Sequence, residues 1–313
     1  MIKKAALIAV SVGLVVYLLT QIDVREVFRA MYNFPLAYLL GGFVLFLAGH
    51  FLRAYRFRVL LRGDIPVGSL FSIIAIQTAA AGLMPLRSGE LSLVFLLTRE
   101  HEVDWSVGAA LLVLAKALDF LVVVALFFVS LSAIPSVPPQ VRSVMPWFDG
   151  LFVLTAFSLV ILGRSRDIYA RLPKFMREGR FAGGKLMTNV KNIFRAAEVI
   201  RSVRVLVLSL VISAVMWSLL YASSFAIVLG LGLKLNFFQL IFLITAMSLF
   251  ANLPIHSPGG FGTMESFWTL IMVSMGVPRD IAISTGFASH LITIAYSLAF
   301  MLYGLRLIRK KEA

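Results

Sequence analysis

The chain has 313 residues, 60% of them hydrophobic and 14% charged, with a formal net charge of +14 and a mean hydropathy of +0.94. An ordinary soluble domain is roughly 45–50% apolar and about 25% charged, so this composition excludes a single soluble globule and makes lipid the solvent for much of the chain. Cysteine is absent, which excludes disulfides, thiolate metal sites and cysteine nucleophiles; the basic residues sit between apolar runs, which points to anionic headgroups rather than nucleic acid.

From the N-terminus, Met1-Ile-Lys-Lys precedes an uncharged stretch, 5–22, with no small-x-small cleavage site after it. It is read as a retained first span rather than a signal peptide. Residues 23–34 place Val24, Val27, Phe28 and Met31 on one helical face, and Asp23 followed by Glu26 resembles a capping box. An interfacial helix on the outer surface is predicted, with a plain connecting loop as the other reading. Residues 35–52 form the second span and end in a cationic cluster, Arg53, Arg56, Arg58 and Arg62, expected on the cytoplasmic side. Residues 67–86 are apolar and break at Pro85-Leu-Arg-Ser-Gly-Glu90, after which only 91–98 is apolar. The span 105–131 is interrupted by Lys116 and Asp119.

A Pro-rich, near-neutral outer loop, 132–146, leads to the span 147–163. Residues 164–204 then hold eleven Lys/Arg against three acids, the strongest positive-inside signal in the chain. Within them Leu186, Val190, Ile193, Phe194, Ala197 and Ile200 make one apolar helical face, expected on the inner leaflet. The span 205–233 is uncharged, 235–253 is apolar, and the chain then breaks at 254–265. A short apolar piece, 266–277, the last span, 281–305, and a basic cytoplasmic tail, 306–313, complete it.

Side assignments follow from the charges. If the clusters at 53–62 and 164–204 are cytoplasmic and 132–146 lies outside, segment 67–98 leaves and re-enters the same side. Its second half is too short for the roughly 20 residues a crossing helix needs. Segment 235–277 does the same from the outer side. The expected fold is an all-α polytopic membrane protein with about six full spans and two re-entrant broken-helix hairpins. The halves 1–131 and 147–305 form an inverted-topology repeat, as in secondary transporters, with both termini in the cytoplasm. Two full spans in place of either hairpin is the competing topology.

Non-helical backbone at membrane depth is tolerated only where it faces protein or a wet cavity, so both Pro/Gly breaks point to a shared polar chamber. Arg87 and Glu90 stand at one tip, His256, Gly259, Gly260 and Glu265 at the other. Half-helix N-termini at Gly89-Glu90 and Gly262-Thr263 suit a phosphate, and Arg87 adds a guanidinium fork. The alternative is that Arg87 and Glu90 neutralise each other and the glycines only permit turns. Lys116 and Asp119, three apart on one face, read as a mutually satisfied pair helping to line the chamber. Arg53, Arg56 and Arg58 serve as topology charges or hold inner-leaflet phosphates. His290, mid-span, is either a chamber residue or a helix-packing histidine; His50 and His101 are expected near the interfaces. Gly179 to Lys185 has the spacing of a phosphate-binding loop, but Leu186 replaces the required hydroxyl and no strand precedes it. No hydrolase, sugar-transferase, metal or cofactor signature is present, so no cofactor and no catalytic residue is expected.

Three of these motifs carry a resemblance: Arg53-Ala-Tyr-Arg56, Pro85-Leu-Arg-Ser-Gly-Glu90, and Pro258-Gly-Gly-Phe-Gly-Thr-Met-Glu265. The chain resembles the flippase-like family named for the transmembrane region of lysylphosphatidylglycerol synthase, over nearly its whole length. The family's E-R-x-x-D element stands here as Ala115-Lys-Ala-Leu-Asp119. The resemblance implies translocation of a phospholipid or polyprenyl-phosphate-type lipid across the cytoplasmic membrane. Arg53, Arg56, Arg87, Glu90, Lys116, Asp119, His256, Gly259, Gly260 and Glu265 are its expected binding residues. Two alternatives stay open: a membrane-embedded transferase acting on a polyprenyl-phosphate lipid, and a non-transporting scaffold for envelope-synthesis partners.

Overall fold

The structure, a computed structural model, describes residues 24–131, 150, 152–155, 157, 203–251 and 257–312. Among them every regular element is helical. Four helices are long and apolar enough to cross a membrane: α2 (Leu36–Leu60), α5 (Trp105–Leu131), α6 (Val203–Gly230) and α9 (Arg279–Glu312). The expected spans 5–22 and 147–163, the loop 132–146 and nearly all of the basic segment 164–204 lie outside the described residues.

Residues 23–34 do contain a helix, α1 (Val24–Tyr32). Its Val27 packs on Ile283 and Phe287 of α9, while Phe28 and Tyr32 stay 68% and 91% exposed. One face is therefore covered by protein and the aromatic one is left for an apolar or interfacial environment.

Helix α2 starts after Pro35, whose extended backbone ends the preceding turn. It runs on to Leu60, so Arg53, Arg56 and Arg58 belong to the helix rather than to a loop after it. Its partner is α6, and small residues allow the approach. A Cβ on Gly42 would meet the Ala226 Cβ at 3.4 Å, and one on Gly49 the Leu220 side chain at 2.7 Å. Ser223 of α6 donates to the Gly42 carbonyl at 2.7 Å, adding a hydrogen bond across the seam.

Two further units are helical hairpins. In the first, α3 (Val67–Leu83) is followed by a 3-10 turn, Pro85–Leu91, and by α4 (Ser92–His101). The Ser69 hydroxyl and His101 Nε2 lie 3.0 Å apart. That contact joins the start of α3 to the end of α4, so the helices run antiparallel and the chain returns to its starting end. At 1.5 Å per residue, 17 and 10 residues make about 26 and about 15 Å, short of a hydrocarbon core of roughly 30 Å. In the second, α7 (Phe237–Ala251) and α8 (Thr263–Ser274) flank a 3-10 turn at Pro258–Gly260. Phe250 and Phe267 stack at 4.0 Å beside its tip, while Leu240 and Met272 belong to one buried apolar cluster further away. Helix α9 ties the units together and crosses α3 tightly: a Cβ on Gly304 would stand 2.8 Å from the Ser72 carbonyl oxygen. It continues to Glu312 as helix, where a tail from 306 was expected.

Candidate functional site

The two hairpin tips touch each other, and the turn at Pro258–Gly260 also touches α3. Each tip depends on glycine. A Cβ on Gly89 would sit 2.1 Å from the Ala80 carbonyl oxygen, so only glycine lets the first turn fold back on α3. In the second, Gly259, Gly260 and Gly262 have φ of +66°, +74° and +81°, a left-handed run that side chains resist.

That run delivers the chain into α8 with Gly262 as its N-cap. The Gly262 N–H donates to Glu265 Oε2 at 2.7 Å, the half of a capping box supplied by the third helical residue. The free N–H expected at Gly262-Thr263 for a phosphate is thus taken by the chain's own carboxylate. The other oxygen, Oε1, lies 2.5 Å from Nδ1 of His290 on α9. Glu265 is completely buried, and the His290 side chain is 14% exposed.

His290 stands in the wall of two cavities, each of about 230 Å³. One lies among α6, α7, α8 and α9 and includes Ser224, Ser248 and Ser289. The other is bounded by α3 at Thr78 and Gly82, by the second tip at Gly259 and Gly260, and by α9 at Ser297. Ala251, Met264, His290 and Thr293 border both, forming a thin partition between them. With Nδ1 held by Glu265, Nε2 is the ring nitrogen left for the cavities, and it has no hydrogen-bond partner among the described residues. The polar groups around it are hydroxyls, so the arrangement offers one imidazole in a mostly apolar space. No three His, Cys, Asp or Glu side chains converge as metal ligands among the described residues.

The charged residues of the first half form a separate cluster. Arg56 is fully buried; its Nη1 donates to Asp119 Oδ1 and to Ser213 Oγ, each at 2.5 Å, and its Nη2 to Asp119 Oδ2 at 3.3 Å. Trp217 Nε1 donates to the same Asp119 Oδ1 at 3.1 Å. These bonds fasten α2, α5 and α6 to one another. Lys116 donates to Glu90 Oε1 at 2.6 Å, fastening α5 to the first tip.

Several expectations are corrected here. Lys116 and Asp119 each take a partner from a different element, because the packing of α5 turns one towards the tip and the other towards α2 and α6. Glu90 meets Lys116, not only its neighbours in the turn. Arg56 is no surface charge, since a buried carboxylate on another helix receives it. Neither Arg53, Arg56, Lys116 nor Asp119 borders the two cavities. Gly259 and Gly260 do border one of them, and Glu265 stands behind His290. The Arg87 side chain and the whole of His256 lie outside the described residues. His50, expected at an interface, is 4% exposed and packed between the rings of Phe46 and Phe300. The sequence reading left His290 with two alternative roles, and it fills both. Ser213 and Trp217 went unnoticed, as a serine and a tryptophan in an apolar span carry no signal of their own.

The family model described as the lysylphosphatidylglycerol synthase TM region matches residues 5–300 of the chain. No curated protein and no solved structure matches it.

Proposed function

The chain belongs to the family of the lysylphosphatidylglycerol synthase TM region, and from that premise we propose that it moves a lipid with a phosphate-bearing headgroup between the leaflets. One observation carries this reading: His290, in the middle of a membrane-spanning helix, faces two cavities between the broken hairpins, backed by a buried carboxylate. Ionisable groups at that depth are costly and mark substrate or ion pathways. The two hairpins, too short to cross, supply the non-helical backbone typical of transporter sites at the midplane.

In this mechanism the headgroup occupies one cavity while its tails stay in the bilayer. The hydroxyls and His290 Nε2 replace its hydration. Rocking of the opposed repeats then carries it past the partition formed by Met264, His290 and Thr293. The termini face the cytoplasm, and the basic residues of 164–204 lie against anionic lipid there. Glu265 acts on the headgroup only through His290.

The test is leaflet exchange of headgroup-labelled phosphatidylglycerol in liposomes holding the purified protein, with lipid extracts checked for new products. His290→Ala, and Thr293→Phe in the partition, are expected to lower the exchange rate per folded molecule at least roughly tenfold; His290→Ala also strands the buried Glu265 carboxylate and is expected to melt below wild type. Exchange at the wild-type rate by both variants, or conversion of the lipid into a new product, refutes this reading.

A further inference from the structure

Resting on that reading, we propose that headgroup binding takes up a proton at His290, so that translocation of a phosphate-bearing lipid is coupled to proton movement. Glu265 Oε2 already accepts the Gly262 N–H, and Oε1 lies against Nδ1 of His290. An ionised carboxylate accepts both contacts, with Nδ1–H as the second donor. This tautomer leaves Nε2 with a lone pair facing the cavities. In that form it repels a phosphate oxygen rather than binding it. When Nε2 takes a proton from cavity water, the ring becomes a cation with a donor aimed into the cavity, and Glu265 holds the countercharge behind it. A phosphodiester anion then has a charge-assisted partner. On release the proton returns to water on whichever side the cavity is open, so charge and proton leave together.

The surroundings isolate this switch. Helix α8 brings Glu265 alone, while α3 and α7 contain no charged residue. The cavity-lining residues of α6 are Ser224, Ile227 and Val228, and Tyr221 on that helix is engaged with Thr245. On α9 itself Tyr296 donates to the Leu39 carbonyl, and α2 brings Phe46 with His50 packed behind it. His290 is the sole titratable side chain among the described residues that border the two cavities. Among the described side chains bordering the cavities, no cation attracts phosphate without the proton.

Dihexanoyl phosphatidylglycerol is titrated calorimetrically into the full chain in detergent, in two buffers of different ionisation heat, which counts protons taken up per lipid. Wild type is expected to take up net proton, approaching one per lipid as pH rises, with affinity falling by up to about tenfold per pH unit. His290→Gln is expected to bind with no proton uptake and a flat pH profile. Glu265→Gln keeps its oxygen on the Gly262 N–H and turns its NH2 donor to Nδ1, which places the neutral ring's proton on Nε2; this variant is therefore expected to bind with less proton uptake than wild type. Binding by wild type without proton exchange, no binding at any pH, or uptake retained in His290→Gln overturns the proposal. Inorganic phosphate in the same titration separates a site for the anion alone from one that requires the lipid. Leaflet exchange in liposomes keeps the two readings apart. Exchange without proton-linked binding removes the coupling and leaves translocation standing, and proton-linked binding without exchange does the reverse.

Discussion

Replacing Asp119 by leucine removes the countercharge of a guanidinium that has no exposed surface. The change deletes two Arg56 bonds and the Trp217 bond, leaving Arg56 with Ser213 as its remaining acceptor among the described residues. Breaking a buried pair from one side costs about 3–5 kcal/mol. That is roughly two to nearly four orders of magnitude in the folded-to-unfolded ratio. Replacing both members by apolar residues removes the stranded charge as well as the bond, so Arg56→Met with Asp119→Leu is expected to recover most of the loss. The remaining deficit, about 1–2 kcal/mol, belongs to the Trp217 N–H left without an acceptor. Adding Trp217→Phe should close it. Equilibrium unfolding in mixed micelles, followed by tryptophan fluorescence for the first two and by helix content for all, measures the series. An Asp119→Leu variant within about 0.5 kcal/mol of wild type, or a double variant no more stable than the single, would refute the argument, because the coupling between contacting partners would be absent.

The Glu90–Lys116 bond offers a graded contrast. Its side chains are 18% and 28% exposed, so Lys116→Ala is expected to cost under about 1 kcal/mol in the same unfolding assay, well below the Asp119 loss. Gly89→Ala drives a Cβ to 2.1 Å from backbone that cannot rotate away, and is expected to cost at least about 2–3 kcal/mol. Gly68→Ala, in helix α3 with nothing within 4 Å, is expected to stabilise by about 0.5–1 kcal/mol; thermal unfolding of the two side by side checks both.

Much of this architecture is a local property and was legible before any fold. Apolar length decides which stretches cross, and the four described long helices coincide with four expected spans. Proline and glycine decide where helices break, and the two hairpin turns fall at the two quoted motifs. Helical periodicity also foretold that residues 23–34 contain a helix, α1, but not that Val27 is buried against α9 while Phe28, expected on the same face, stays exposed.

Which charge meets which was not legible. Arg56 and Asp119 are separated by 63 positions, Arg56 and Ser213 by 157, and Lys116 and Glu90 by 26. Spacing within one helix suggested that Lys116 and Asp119 neutralise each other, because i and i+3 side chains are neighbours on an isolated helix. In the bundle, partners from other helices compete for the same groups, and packing decides. The same holds for His290: its sequence context is apolar helix on both sides, and only the approach of the second hairpin puts Glu265 behind it. Sequence determined that this chain lies in a membrane and where its helices break, because hydropathy and backbone propensity act residue by residue. Tertiary structure alone decided which buried charges are paired and which nitrogen faces a cavity, because those outcomes depend on atoms brought together from distant parts of the chain.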